Sequence, residues 1–303
     1  MTSLIPNIPL KPNPNKPQFI SNIKLSKPII KCSTNLSLPP KSKQEAINQA
    51  KTCISTTLEK PINNLKLTGK LKKLKQPRFR VEIPVIDDSP ESLSELAQQL
   101  FDEMPIKKKG SKGDKVKVLI VWPNEKVVLG SGLVEHVGIS ELVNMGDGVR
   151  RVLSGCDFVV FLSPEVAQVG VMESVSESVY PKPVLMFNPR WGYDEEEESM
   201  GEFKEFLGSF EVIYSFMGLE VKGLLSKRNG VVFKCVRDGV LSGERWSVLV
   251  EEEGELKVVS RFKTRPSIGE VENVLYNLMA INSTITKSAK FLKGLVSNVT
   301  GKK

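Results

Sequence analysis

The sequence predicts an α/β fold: a Rossmann-like parallel sheet with flanking helices, extended by an antiparallel β-meander and followed by a C-terminal helix. Three observations predict it. Phe158–Leu162 and Val184–Phe187 are unbroken apolar runs, the composition of strands covered on both faces. Between them Val166, Val169, Met172, Val175 and Val179 recur at helical spacing after Ser163-Pro164-Glu165, which makes a strand–helix–strand unit with Ser163 as cap and Pro164 in the first helical position. After Trp191 the pattern changes to short alternating segments divided by turn residues.

Residues 1–38 read as an address rather than as fold. They are rich in Ser, Pro, Asn and Lys and contain no acid. Five prolines in the first seventeen residues break any amphipathic presequence helix, and there is no arginine before Arg78. Ile30-Lys31-Cys32-Ser33 is similar to the sites at which plastid transit peptides are cut. The expectation is a chloroplast transit peptide, hence a protein of the stroma or of the thylakoid periphery.

A helix follows from Ser42, with Ala46, Ile47, Ala50, Ile54 and Leu58 on one face, ending near Pro61. The basic stretch Lys66–Arg80 gives way to the alternation Phe79-Arg80-Val81-Glu82-Ile83-Pro84-Val85, a strand pattern. Asp87-Asp88-Ser89-Pro90-Glu91 starts a second helix, with acids at the positive end of its dipole and Leu93, Leu96, Ala97, Leu100 and Phe101 as its buried stripe. Beyond a polar lysine loop, Val116–Trp122 is a central strand. Val127–Leu129 and Leu133-Val134 fit either a short helix or a strand, and Val149–Leu153 a short helix.

Past the strand–helix–strand unit, Asp194–Glu198 is an acidic loop and Phe203–Leu207 a short helix. Val212–Met217, Val231–Val236, Trp246–Val250 and Leu256–Phe262 are strands, with Asn229-Gly230 and Glu253-Gly254-Glu255 as hairpin turns. They build either one mixed sheet or two abutting ones. Val271, Val274, Leu278, Ile281, Ile285, Leu292 and Leu295 then make an amphipathic helix. The division is a leader at 1–38, one α/β domain at 39–268 (parallel part 39–192, antiparallel part 193–268), and a helix with tail at 269–303.

The chain carries +8, but residues 1–44 hold seven lysines and no acid, which leaves +1 for residues 45–303. A nearly neutral body argues against nucleic acid, and Lys66–Arg80 contains one aromatic, Phe79, where stacking platforms need more. No run approaches the roughly 18 apolar residues of a transmembrane helix. Cys32, Cys53, Cys156 and Cys235 are far apart in sequence and fit neither a disulfide framework nor a zinc site; they read as buried or half-buried thiols in a reducing compartment.

Chemical motifs are sparse. There is no phosphate-binding G-x-x-x-x-G-K, Gly130-Ser131-Gly132 lacks the third glycine of a dinucleotide loop, and no G-x-S-x-G elbow occurs. His136 is the only histidine, so no cofactor, metal site or catalytic residue is assigned. One ligand site follows from topology. In open α/β sheets ligands sit beyond the carboxyl ends of the strands, where Ser163, Glu165, Asn188 and Arg190 fall, with Arg190 suited to a phosphate or carboxylate.

Taken in order, Glu45-Ala46, Val81–Pro84, Asp157–Val160, Pro183–Arg190, Val212–Phe216 and Arg265-Pro266-Ser267 resemble a domain of unknown function of plants, algae and cyanobacteria, over residues 38–268. Its members include low-photosystem-II-accumulation assembly proteins and the C-terminal extension of a plastid adenylate kinase. The resemblance implies a plastid protein that works without catalysis, through contacts with protein partners such as photosystem subunits. The alternative is a binder or enzyme for a phosphorylated or carboxylated small molecule at the strand ends.

Overall fold

The computed structural model describes residues 38–64, 75–83, 89–109, 114–123, 134–143, 147–191, 201–222 and 227–282. The leader, most of the basic cluster, Val127–Leu129, the acidic run Asp194–Glu198 and the chain beyond residue 282 lie outside the described residues.

Nine strands form one mixed sheet: β1 (Arg78–Glu82), β2 (Val118–Trp122), β3 (Val134–Gly138), β4 (Phe158–Leu162), β5 (Val184–Phe187), β6 (Glu211–Lys222), β7 (Lys227–Cys235), β8 (Trp246–Glu252) and β9 (Glu255–Phe262). Their order across the sheet is β3-β2-β4-β5-β1-β6-β7-β8-β9. The first six run parallel, and β6 to β9 form an antiparallel meander. The two runs that predicted the fold are neighbours, with Val160 opposite Leu185 and Phe161 opposite Met186.

Period-2 alternation sends successive side chains of each strand to opposite faces. On one face Phe79, Val81, Val160, Leu185 and Phe233 meet α1 (Lys43–Asn63) and α2 (Pro90–Phe101). Ser42 caps α1 by accepting the Glu45 N–H, and Ser89 caps α2 with Pro90 in its first turn. Ile54, Leu58 and Leu100 are fully enclosed, each contributing about 1.5–3 kcal/mol relative to exposure. On the other face Leu119, Val159, Phe161 and Met186 lie under α3 (Ile139–Val143), α4 (Asp147–Gly155), α5 (Val169–Ser178) and α6 (Lys204–Gly208). There too α7 (Ile268–Asn282) sets Val271 and Leu275 on Trp246, Val248 and Val250.

Two local expectations are corrected. Ser163 is not a helix cap: its φ is +46°, and the helical path begins only after a 3-10 turn at Val166–Gln168, leaving Val166 exposed. Asn229 and Gly230 are not a hairpin turn, because they pair inside β7 with Glu220 and Leu219. In β1 both Arg80 and Glu82 are buried. The turn at Glu253-Gly254 holds, with φ of +57° and +79°, the two left-handed residues of a tight hairpin.

Candidate functional site

Two crossovers place the strand ends. β1 leaves for β2 through α2 on one face, and β5 leaves for β6 through α6 on the other. The adjacent carboxyl ends of β5 and β1 therefore flank a topological switch point, where α/β sheets open a crevice.

Here the crevice is stitched shut. Asn188 leaves β5 at φ +46°, and its side-chain Oδ1 accepts the Ile83 N–H at 2.7 Å while Nδ2 donates to the Ile83 carbonyl at 2.8 Å. Its own N–H donates to the Val81 carbonyl at 3.0 Å. Ser163, at the end of β4, donates its hydroxyl to the Asn188 carbonyl at 3.1 Å. The Arg190 N–H reaches the Pro164 carbonyl at 2.9 Å, and its guanidinium meets Glu165 at 3.3 Å. Gln168 accepts the Glu165 N–H at 2.9 Å and donates to the Pro123 carbonyl at 2.7 Å, which ties the end of β4 to the end of β2.

The four residues expected to form a ligand edge are thus brought together, and they bind one another. Ser163 and Asn188 are spent on backbone groups. Arg190 and Glu165 are a half-exposed pair, 33% and 44% accessible, of the kind that contributes little to stability and exchanges readily. His136 accepts the Trp122 indole N–H at Nδ1, 3.0 Å away.

A second polar constellation was not foreseen as a site. Glu82 lies opposite Ser215 across the β1–β6 pairing. Its Oε1 receives Arg80 Nε at 2.7 Å and Arg265 Nη2 at 3.0 Å, and its Oε2 accepts the Ser215 hydroxyl at 2.7 Å. Burial raises the Glu82 pKa, but the guanidiniums of Arg80 and Arg265 and the Ser215 hydroxyl outweigh it and hold the carboxyl below the usual carboxylate range. Such a group stays ionised and does not serve as a proton donor. Nearby, buried Lys234 pairs with Glu211 at 2.9 Å, and both Lys234 and Arg265 stand over the Trp246 ring, at 5.4 and 5.6 Å. The available signal is the three charges at alternate positions of β1, Arg78, Arg80 and Glu82, together with the distant Arg265.

Among the described residues no group of three or more His, Cys, Asp and Glu side chains could hold a metal ion, and no helix is long and apolar enough to cross a membrane. Residues 40–273 match the model of a family described as a domain of unknown function, DUF1995. The chain belongs to that family. The DUF1995 match begins just before α1 and ends within the first turns of α7, so it takes in the whole nine-stranded sheet, the switch-point stitches and Arg265. No curated protein matches the chain.

Proposed function

We propose that this protein is a non-catalytic chloroplast protein that acts through contacts with other proteins, in the assembly or maintenance of a photosynthetic complex. One observation carries the reading: the strand-end side chains that would grip a substrate hold the loops of the sheet to each other. Asn188 spends both ends of its amide on Ile83, and Ser163 its hydroxyl on Asn188. The acid-free leader and the resemblance to assembly proteins support the same direction. A surface for partners is offered by β9, the last strand of the sheet. Every residue from Glu255 to Phe262 is exposed or half-buried, and exposed Lys257 and Arg261 favour an acidic extended segment added alongside.

The test is crosslinking mass spectrometry on the full chain in intact chloroplasts. Crosslinks from Lys257 or Lys263 to subunits of one photosynthetic complex are expected; a preparation reproducibly free of partners overturns the proposal. The half-exposed Arg190–Glu165 pair favours a second reading, an anionic small molecule that displaces Glu165. A thermal-shift screen with nucleotides and sugar phosphates decides between them. No stabilisation is expected, whereas a rise of several degrees that Arg190→Ala abolishes establishes the ligand.

A further inference from the structure

Two thiols distant in the sequence meet where α1 crosses the end of β7. Cys53 is 1% exposed, and its thiol donates to the Ile213 carbonyl at 3.1 Å. The same carbonyl accepts the N–H of Val236 at 2.8 Å, so α1 and the residue after Cys235 converge on one oxygen. Cys235 lies opposite Tyr214, the residue after Ile213, in the β6–β7 pairing, and neither cysteine is in a disulfide. Both border a cavity of about 430 Å³ whose rim includes Asn48, Thr52 and Asp238, all exposed, so the pair is reached from solvent. Just past Asp238, Gly239 at φ +65° approaches α1 so closely that a Cβ would lie 2.6 Å from the Thr56 carbonyl oxygen.

We propose that Cys53 and Cys235 are a thiol–disulfide exchange site whose substrate is a disulfide-bearing molecule, and whose product is an intramolecular disulfide tying α1 to β7. Half-buried Cys235 faces the cavity and reacts first. Its sulfur attacks one sulfur of the donor disulfide, forming a mixed disulfide and expelling the other donor sulfur, which leaves as a thiol carrying the proton Cys235 gave up. Cys53 then attacks the Cys235 sulfur, and the second donor sulfur departs as a thiol with the proton of Cys53. Two electrons pass from the protein to the donor, and a dithiol reverses both steps. The hydrogen bond with Cys235, burial and repulsion by a Cys235 thiolate all push the Cys53 pKa well up, which suits it to the resolving rather than the attacking role. The site is independent of the assembly reading: it stands or falls on sulfur chemistry in the isolated chain.

The purified full chain is incubated with oxidised glutathione, digested without reduction and mapped by mass spectrometry, with Tm measured before and after. The expected product is a Cys53–Cys235 linked peptide and a Tm raised by several degrees, because the crosslink closes most of the chain into one loop. Dithiothreitol restores the starting Tm, and either Cys53→Ser or Cys235→Ser abolishes the shift. Serine keeps the hydrogen bond to the Ile213 carbonyl at position 53. Should Cys53→Ser fail to fold, phenylarsine oxide, which bridges only neighbouring thiols, must bind the reduced chain one to one and lose that binding in Cys235→Ser. A glutathione adduct that stays on Cys235, a different cysteine pair, or thiols that remain free each overturns the proposal.

Discussion

Glu82 is where the fold is most exposed to a single substitution. It lies between two guanidiniums in a region closed to water: the side chains of Arg80, Glu82 and Arg265 are 7%, 3% and 21% accessible. Glu82→Gln keeps the volume and removes the charge that Arg80 and Arg265 share. Breaking a buried ion pair in this way costs about 3–5 kcal/mol, which in a domain of this size lowers Tm by about 10 °C. Arg265→Met is milder, because Arg80 still neutralises the carboxylate and Ser215 still bonds it; the loss is about 1.5–3 kcal/mol, one charged hydrogen bond. The double variant relieves the repulsion that Glu82→Gln creates, so its cost falls short of the sum by about 1–3 kcal/mol. Urea unfolding at neutral pH with unchanged m-values measures all three. A Glu82→Gln loss under about 1 kcal/mol, or additivity within about 0.5 kcal/mol, refutes the argument that this carboxylate is the counterion of both arginines.

Three further outcomes are expected. Because the Glu82 pKa is lower folded than unfolded, its contribution is fully present above the ordinary carboxylate range and is lost as pH falls through the folded value. The urea midpoint of the parent should therefore drop more steeply below about pH 4 than that of Glu82→Gln. Asn188→Ala strands the Ile83 N–H and carbonyl and should cost about 2–4 kcal/mol by urea unfolding, whereas Arg190→Ala, losing a half-exposed pair, should cost under about 1 kcal/mol. Gly239→Ala adds a Cβ against the Thr56 carbonyl at a left-handed backbone and should cost about 2–4 kcal/mol, read as a lowered Tm.

What the sequence displays well is whatever is settled within one turn or one strand. Ser42 and Ser89 sit where a cap must be, and nothing distant competes for their oxygens. The β4–α5–β5 unit is legible because both strands are buried on both faces and so read as unbroken apolar runs. Legibility fails where a distant group captures a local signal. Ser163 has the grammar of a cap, yet the Asn188 carbonyl takes its hydroxyl and the Glu165–Gln168 pair starts the helix instead. Asn229-Gly230 has the grammar of a hairpin, yet the ladder with β6 runs through it. The burial of Arg80 and Glu82 has no local signal, because Arg265, the second cation on Glu82, lies beyond the last strand. The thiol pair has no local grammar at all: only the packing of α1 on β6 and β7 brings Cys53 to Cys235.

The burial of Arg80 and Glu82 follows from where β1 lies. β1 is the seam between the parallel and antiparallel halves, paired with β5 on one side and β6 on the other. On one face of the sheet, α3 to α6 cover the parallel half and α7 the far antiparallel strands, so the strip between those covers falls to Arg80, Glu82, Ser215 and Lys234. At its carboxyl end the same strand is stapled to β5 by Asn188. A sheet that joins two grammars must place its polar groups where neither apolar cover reaches, and there each must find a polar partner: Arg80 and Ser215 for Glu82, Glu211 for Lys234. Arg265 meets that need for Glu82 from the segment leading into α7, which makes the docking of α7 depend on a charge in the first strand. Arg265→Met should accordingly speed hydrogen exchange in α7 more than in α1, and equal effects on both helices would show that the seam does not couple the two halves.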